Sequence, residues 1–258
     1  PFCRSKCAYC DFYSYPAGSE EHDALAAALI SRIRSLKKEI DGYEIDSVYF
    51  GGGTPTLLPF DKLCNILSEI SAYNISKKAE ITLEANPGTI EPDALAGLRR
   101  GGFNRISIGM QSAVDSELVS LGRTHNAAQA KAAAAMARKA GFDNINIDLI
   151  IGLSSQIREN LEKSIATAAA RAEHISAYIL KLEPGTPMFE KHPNGTMDDD
   201  EISRLYLYCC EKLFSHGFVQ YEISNFAKPG FASKHNMKYW TLKDYIGLGP
   251  GAHSFFKG

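Results

Sequence analysis

Apolar positions along the chain switch repeatedly between a helical and a strand-like period. Leu25, Leu29, Ile33, Leu36 and Ile40 recur at helical spacing and predict a helix over 20–40. Val48-Tyr49-Phe50 then reads as a strand entering the turn Gly51-Gly52-Gly53. Leu63, Ile66, Leu67 and Ile70 form the next helical stripe, followed by a strand over 80–84 stopped at Asn86-Pro87-Gly88. A helix over 92–101 ends at Gly101-Gly102, and a strand is predicted over 105–110. An alanine-rich helix over 127–140 is closed by Gly141, and a strand follows over 144–150. A helix over 158–172 precedes a strand over 175–182 that stops at Pro184-Gly185. Asp198-Asp199-Asp200-Glu201 opens a further helix, where carboxylates complement the helix dipole.

Strand–helix alternation repeated about five times implies a parallel sheet with right-handed crossovers. A cysteine motif starts at residue 3, so the sequence predicts a preceding strand outside the given residues and a chain that continues past Gly258. With that strand the pattern gives about six βα units, as an incomplete TIM-type barrel or an open doubly wound sheet. The strands read as apolar runs with polar residues at their C-terminal ends, the edge that carries the site in both architectures.

Composition narrows the function classes. The 258 residues are 45% hydrophobic and 22% charged, as in a globular domain. A net charge of −2 gives no field for collecting polyanions, so nucleic acid is not a predicted partner. No apolar run approaches the ~20 residues of a membrane span. Of six cysteines, Cys3, Cys7 and Cys10 cluster and the others are scattered, which reads as metal binding in a reducing, cytoplasmic compartment.

Cys3, Cys7 and Cys10 can reach three corners of a cubane cluster and leave the fourth iron open. A zinc site or a disulfide remains an alternative, although structural zinc wants four ligands and only His22 is near in sequence. The glycines of Gly51-Gly52-Gly53-Thr54-Pro55 let backbone approach a ligand, or simply make a tight turn. Glu84, Gln111 and Asp148 sit on successive strand ends; together they suit an amine and ribose hydroxyls, singly they can be structural. Arg123 offers a two-pronged fork to a carboxylate, or is a solvated loop residue. His235-Asn236-Met237-Lys238-Tyr239-Trp240 offers an imidazole, a phenol and the only tryptophan, in what reads as a loop. His125 and His253 read as structural, Cys209 as core on the Ile202, Leu205, Leu213 stripe, and Cys64 and Cys210 carry no functional signal.

Five segments together resemble the radical S-adenosylmethionine (SAM) enzymes: Pro1-Phe2-Cys3 through Cys10-Asp11-Phe12, Tyr49 through Thr56, Arg105 through Ser112, Leu121-Gly122-Arg123, and Asp148 through Leu153. Within that superfamily they are similar to the branch of oxygen-independent coproporphyrinogen III oxidase and the HemW-type heme chaperones. The resemblance implies a partial (βα)6 TIM-type barrel over 1–182 lacking its first strand, and a C-terminal extension over 183–258. It implies that Cys3, Cys7 and Cys10 hold a [4Fe–4S] cluster and that Tyr9, Gly52, Gly53 and Thr54 line SAM. Glu84 would take the SAM ammonium, Arg123 its carboxylate, and Gln111 and Asp148 its ribose. Coproporphyrinogen enzymes typically carry a further cysteine where this chain has Phe12, and His235, Tyr239 and Trp240 match the H-N-x-x-Y-W heme-binding motif. The expected function is therefore heme binding and delivery to acceptor proteins, with a one-electron donor as a further partner. Porphyrinogen oxidation and SAM-dependent methyl transfer are the alternatives.

Overall fold

The computed structural model describes residues 1–154 and 156–257; Gly258, the last residue of the expected extension, lies outside them. The first half runs α1 (Ser19–Ser35), β1 (Ile45–Phe50), α2 (Phe60–Ser71), β2 (Ile75–Ala85), α3 (Pro92–Arg100), β3 (Arg105–Gln111) and α4 (Asp115–Ser120). The second runs α5 (Ala127–Lys139), β4 (Asn144–Ile151), α6 (Arg158–Ala169), β5 (His174–Ile179), α7 (Pro187–Lys191), α8 (Asp199–Ser215), β6 (Val219–Gln220), β7 (Asn225–Ala227) and α9 (Lys234–Trp240).

The sheet order is β1-β2-β3-β4-β5-β7-β6. Strands β1 to β5 are parallel and in sequence order, so among the described residues the strand order shows no reversal and the doubly wound alternative is not realised. The sheet curls into a partial barrel. β7 comes from the region beyond residue 182, pairs antiparallel with β5 and carries β6 as a second antiparallel strand.

Strand side chains alternate between two faces, and here the faces differ completely in character. Ile81, Leu83, Ile106, Ile108, Ile145, Ile147, Leu149 and Ile175 are buried in the core beneath the helices. Alanines 130, 133, 134 and 137 of α5 join that core, their small side chains letting the helix lie close to the sheet. The opposite, inner face carries Tyr49, Glu80, Thr82, Glu84, Arg105, Ser107, Asn146, Asp148, His174 and Ser176. Polar residues thus line the strands along their whole length, not only at the C-terminal ends as the sequence suggested. A polar inner face requires partners, and much of it is satisfied internally. His174 Nδ1 pairs with Asn146 Oδ1 at 2.6 Å and its Nε2 with the Tyr221 hydroxyl at 2.7 Å.

A candidate cofactor site at the C-terminal edge of the sheet

The cysteine loop is tied down by backbone at both flanks. Cys3 N donates to Tyr15 O at 3.1 Å, Thr54 N to Phe2 O at 2.7 Å, and Ala8 N to Leu121 O at 3.1 Å. Two glycines permit this contact. A Cβ on Gly53 would fall 2.5 Å from Phe2 O, and Gly122, at φ +69°, would place one 3.1 Å from Ala8 N. The motifs around residues 3–10, 51–55 and 121–123, distant in sequence, therefore close on one loop.

The thiols of Cys3, Cys7 and Cys10 are free and half-buried. Burial raises the Cys10 thiol, and the nearby Cys7 and Cys3 raise it further against a backbone hydrogen bond at Phe12. Among the described residues no three His, Cys, Asp or Glu side chains gather at the spacing of a single metal ion. A cubane spreads its cysteine ligands over separate irons, and a loop bearing three thiols fits that demand. His22 packs its ring on Phe2, 4.6 Å between centroids, as a loop support.

A chain of hydrogen bonds connects two of the thiols. Cys3 Sγ lies 3.5 Å from Thr54 Oγ1, which accepts from Asn86 Nδ2 at 2.6 Å. Arg123 Nη2 donates to Asn86 Oδ1 and, at 2.9 Å, to Gly109 O, while Nη1 reaches Cys7 Sγ at 3.5 Å. A Cβ on Gly109 would meet Gln111 Nε2 at 3.0 Å and both Arg123 Nη2 and Asn86 Oδ1 at 3.2 Å, so these three groups converge over one bare backbone position. Gln111 reaches it from a left-handed backbone, φ 66°, which costs energy for a residue with a Cβ and is a mark of functional sites.

Two carboxyls complete the arrangement. Glu84 Oε1 accepts from the Tyr49 hydroxyl at 2.7 Å and Oε2 from Gly52 N at 3.1 Å. Burial pushes its pKa up to about 7; the Tyr49 and Gly52 hydrogen bonds and the Arg105 charge oppose that rise, and the Asp148 charge adds to it. Asp148 is also raised by burial, while Asn146 Nδ2 at 2.7 Å and Ser107 Oγ at 3.2 Å donate to it. Tyr9, within the loop, is raised by burial and packs against the cluster of Leu121, Ile150, Leu153 and Met188.

The H-N-x-x-Y-W segment forms helix α9, not the expected loop. Its N-terminus is capped by Glu80 of β2. Oε1 accepts from Ser233 Oγ at 2.9 Å and His235 N at 3.1 Å, and Oε2 from Lys234 N at 3.1 Å. Lys238 pairs with Asp46 at 2.5 Å. His235 points inward: Nδ1 meets Ser47 Oγ at 3.1 Å and Nε2 the Tyr239 hydroxyl at 2.9 Å. Burial lowers its pKa to about 4, so the imidazole is neutral at pH 7. Tyr239 and Trp240 are 47% and 53% exposed, and Leu242 beside them is 74% exposed. His125 is buried against Met110 O at 3.2 Å, and Cys209 is buried in the core.

The profile of the Radical SAM superfamily matches residues 1–168. The chain belongs to the radical SAM superfamily. Membership implies a [4Fe–4S] cluster and SAM as cofactors, and the cysteine loop with its glycine cradle fits both. "Heme chaperone HemW" of Escherichia coli K12 is 39% identical over 259 residues, covering 98% of this chain and 68% of that protein. "Heme chaperone HemW" of Mycobacterium tuberculosis is 36% identical over 263 residues, covering 99% and 67%. In fold, the chain is similar to the coproporphyrinogen III oxidase HemN from Escherichia coli, with TM-score 0.83 and 23% identity over 99% of this chain and 63% of that one. The chain therefore spans about two thirds of the length of these relatives, and within the superfamily it falls in the branch that holds the HemW-named proteins. No helix of the described residues is long and apolar enough to cross a membrane.

Of the residues singled out from the sequence, the structure brings Cys3, Cys7, Gly52, Gly53, Thr54, Glu84, Gln111 and Arg123 to one edge, linked directly or through one neighbour. Asn86 escaped the sequence reading because Asn-Pro-Gly signals a strand stop before it signals chemistry. Glu80, Tyr49 and His174 also went unnoticed as site residues. Their signal was the period-2 polar face, which apolar neighbours on the same strands disguised.

Proposed function

We propose that this chain is the core of a radical SAM heme chaperone, which binds heme and passes it to acceptor proteins. What carries the reading is the 36–39% identity to HemW-named proteins across the whole chain, α9 included. Cys3, Cys7 and Cys10 would hold the cluster, and Tyr9 with the Gly52-Gly53-Thr54 turn would line SAM. Glu84 would accept the ammonium of SAM, Arg123 would fork onto its carboxylate, and Gln111 and Asp148 would accept its ribose hydroxyls. When bound, the reduced cluster supplies one-electron reductive cleavage of SAM; the protein's part is to bind, orient and exclude water. Heme would lie against Tyr239 and Trp240, whose exposed rings, with Leu242, offer an apolar face to a macrocycle. His235 stands behind that face, hydrogen-bonded to Tyr239. Phe12, 65% exposed, stands two residues after Cys10, where the resemblance expects a further cysteine in the porphyrinogen enzymes.

The test uses the full-length protein, anaerobically reconstituted. An absorbance titration should show saturable heme binding, weakened about tenfold or more by Trp240→Ala. The same preparation with SAM, reductant and coproporphyrinogen III should form no protoporphyrinogen. Turnover to protoporphyrinogen without heme binding would assign it to the oxidase. A methylated product with S-adenosylhomocysteine would assign it to methyl transfer.

A further inference from the structure

His235 and Tyr49 join the C-terminal helix to Glu84. The His235 ring lies on Tyr49 with centroids 5.0 Å apart and planes 25° from parallel. The Tyr49 hydroxyl donates to Glu84 Oε1 at 2.7 Å. Gly51 leaves this pair no slack, because a Cβ there would stand 2.7 Å from Tyr49 Cε1 and 3.0 Å from Glu84 Cδ. His235 is itself held at three points, by Ser47 at Nδ1, by Tyr239 at Nε2 and by Glu80 at its backbone N–H. Both ring nitrogens are engaged, and it is the face of the imidazole that meets its neighbour. Iron ligation by either nitrogen would have to displace one of these partners.

We propose that His235 is a positioning residue of the SAM site: it holds Tyr49, and through Tyr49 fixes the Glu84 carboxylate that receives the ligand's ammonium. The inference rests on the assignment of Glu84 made above. It separates the roles within α9, with the exposed Trp240 left to heme and His235, bonded to Tyr239 one turn on, facing inward to SAM. A ring packed on a hydrogen-bond donor restricts where that donor can swing, and a carboxylate aligned in advance binds an ammonium more tightly than one that must be ordered on binding.

The experiment measures SAM affinity by equilibrium dialysis and heme affinity by absorbance on the full-length, reconstituted protein. His235→Gln, which keeps volume and polarity but loses the ring, should weaken SAM about three- to tenfold and leave heme affinity within about twofold. His235→Ala should behave alike, and should it fail to fold, the Gln variant decides. His235→Phe restores a ring face and should return SAM affinity to within about twofold of wild type. Tyr49→Phe, which cuts the bond to Glu84, should weaken SAM as His235→Gln does, and combining the two should add less than about twofold. Unchanged SAM binding in His235→Gln, independent and multiplying effects in the double variant, or loss of heme with SAM affinity intact would each overturn the proposal. Glu84→Gln is the control for the underlying assignment: if it binds SAM like wild type, that assignment fails first.

Discussion

In the proposed SAM site, Glu84 is the carboxyl assigned to the ligand's ammonium. Its carboxyl, pushed up to about 7 by burial, ionises in the free protein only around neutral pH. A cationic ligand group needs the carboxylate, so SAM affinity should climb between pH 6 and 7.5, approaching tenfold per unit at the acid end. The ligand's own α-amino group, with an ordinary pKa of about 8, closes the window from above. Isothermal titration across this range checks it; Glu84→Gln should flatten the acid limb, and a limb that persists in that variant contradicts the assignment. Asn86 makes a second prediction at this scale. It bridges Thr54 to Arg123, and Asn86→Ala should weaken SAM about tenfold through a loosened guanidinium. Equal affinity in the two proteins would show that Arg123 needs no such support. Cys3, Cys7 and Cys10 stood out in the sequence because their signal lies in local spacing. Asn86 did not, because its partners are more than thirty residues away in sequence on either side and meet it only after the sheet forms.

Among the elements, α9 carries the residues of the proposed heme face. It has seven residues, too few to be stable alone, and is held by tertiary contacts. Glu80 supplies three of them at its N-terminus. Glu80→Ala should cost about 2 kcal/mol and lower Tm by about 4–8 °C, with Glu80→Gln retaining part of the stability. Because Trp240 is the only tryptophan and lies on α9, its emission reports the detachment directly. A melting temperature and emission unchanged by Glu80→Ala would show that α9 is anchored elsewhere. The long elements were readable from periodicity: α1, α2, α5 and β1 to β5 all lie where apolar spacing puts them. The short ones, α4, α7, β6, β7 and α9, were not, since two to seven residues hold too little of either period. The polar inner face was visible only as interruptions, because its alternation emerges once register shows which residues share a side.

At the largest scale, the described residues form a curved sheet with an apolar outside under helices and a polar inner face. Such an interior makes stability depend on pH. Burial holds His125 and His235 down at about 4 and lowers His174 too, so all three are neutral in the fold at pH 6. The unfolded chain protonates them near 6.5 and thus binds more protons between that value and about 4, so stability falls as pH drops through this window. Glu84 and Asp148 act in the opposite sense: their raised pKa values let the fold keep protons that the unfolded chain releases. His125 and His235 are each held down about as far as Glu84 is held up, and with His174 they leave a net loss on acidification. Tm should therefore fall from pH 7 to pH 5 at constant cluster content, and a flat or rising Tm would contradict the described burial of the histidines. The same inner face also sets the central claim, that the cysteine loop presents a cluster with one open iron to SAM held by Glu84 and Arg123. Electron paramagnetic resonance of the reconstituted, dithionite-reduced full-length protein tests this most directly. The account predicts a reduced [4Fe–4S] signal whose g values shift on adding SAM, and a signal indifferent to SAM, or no cluster signal at all, would contradict it.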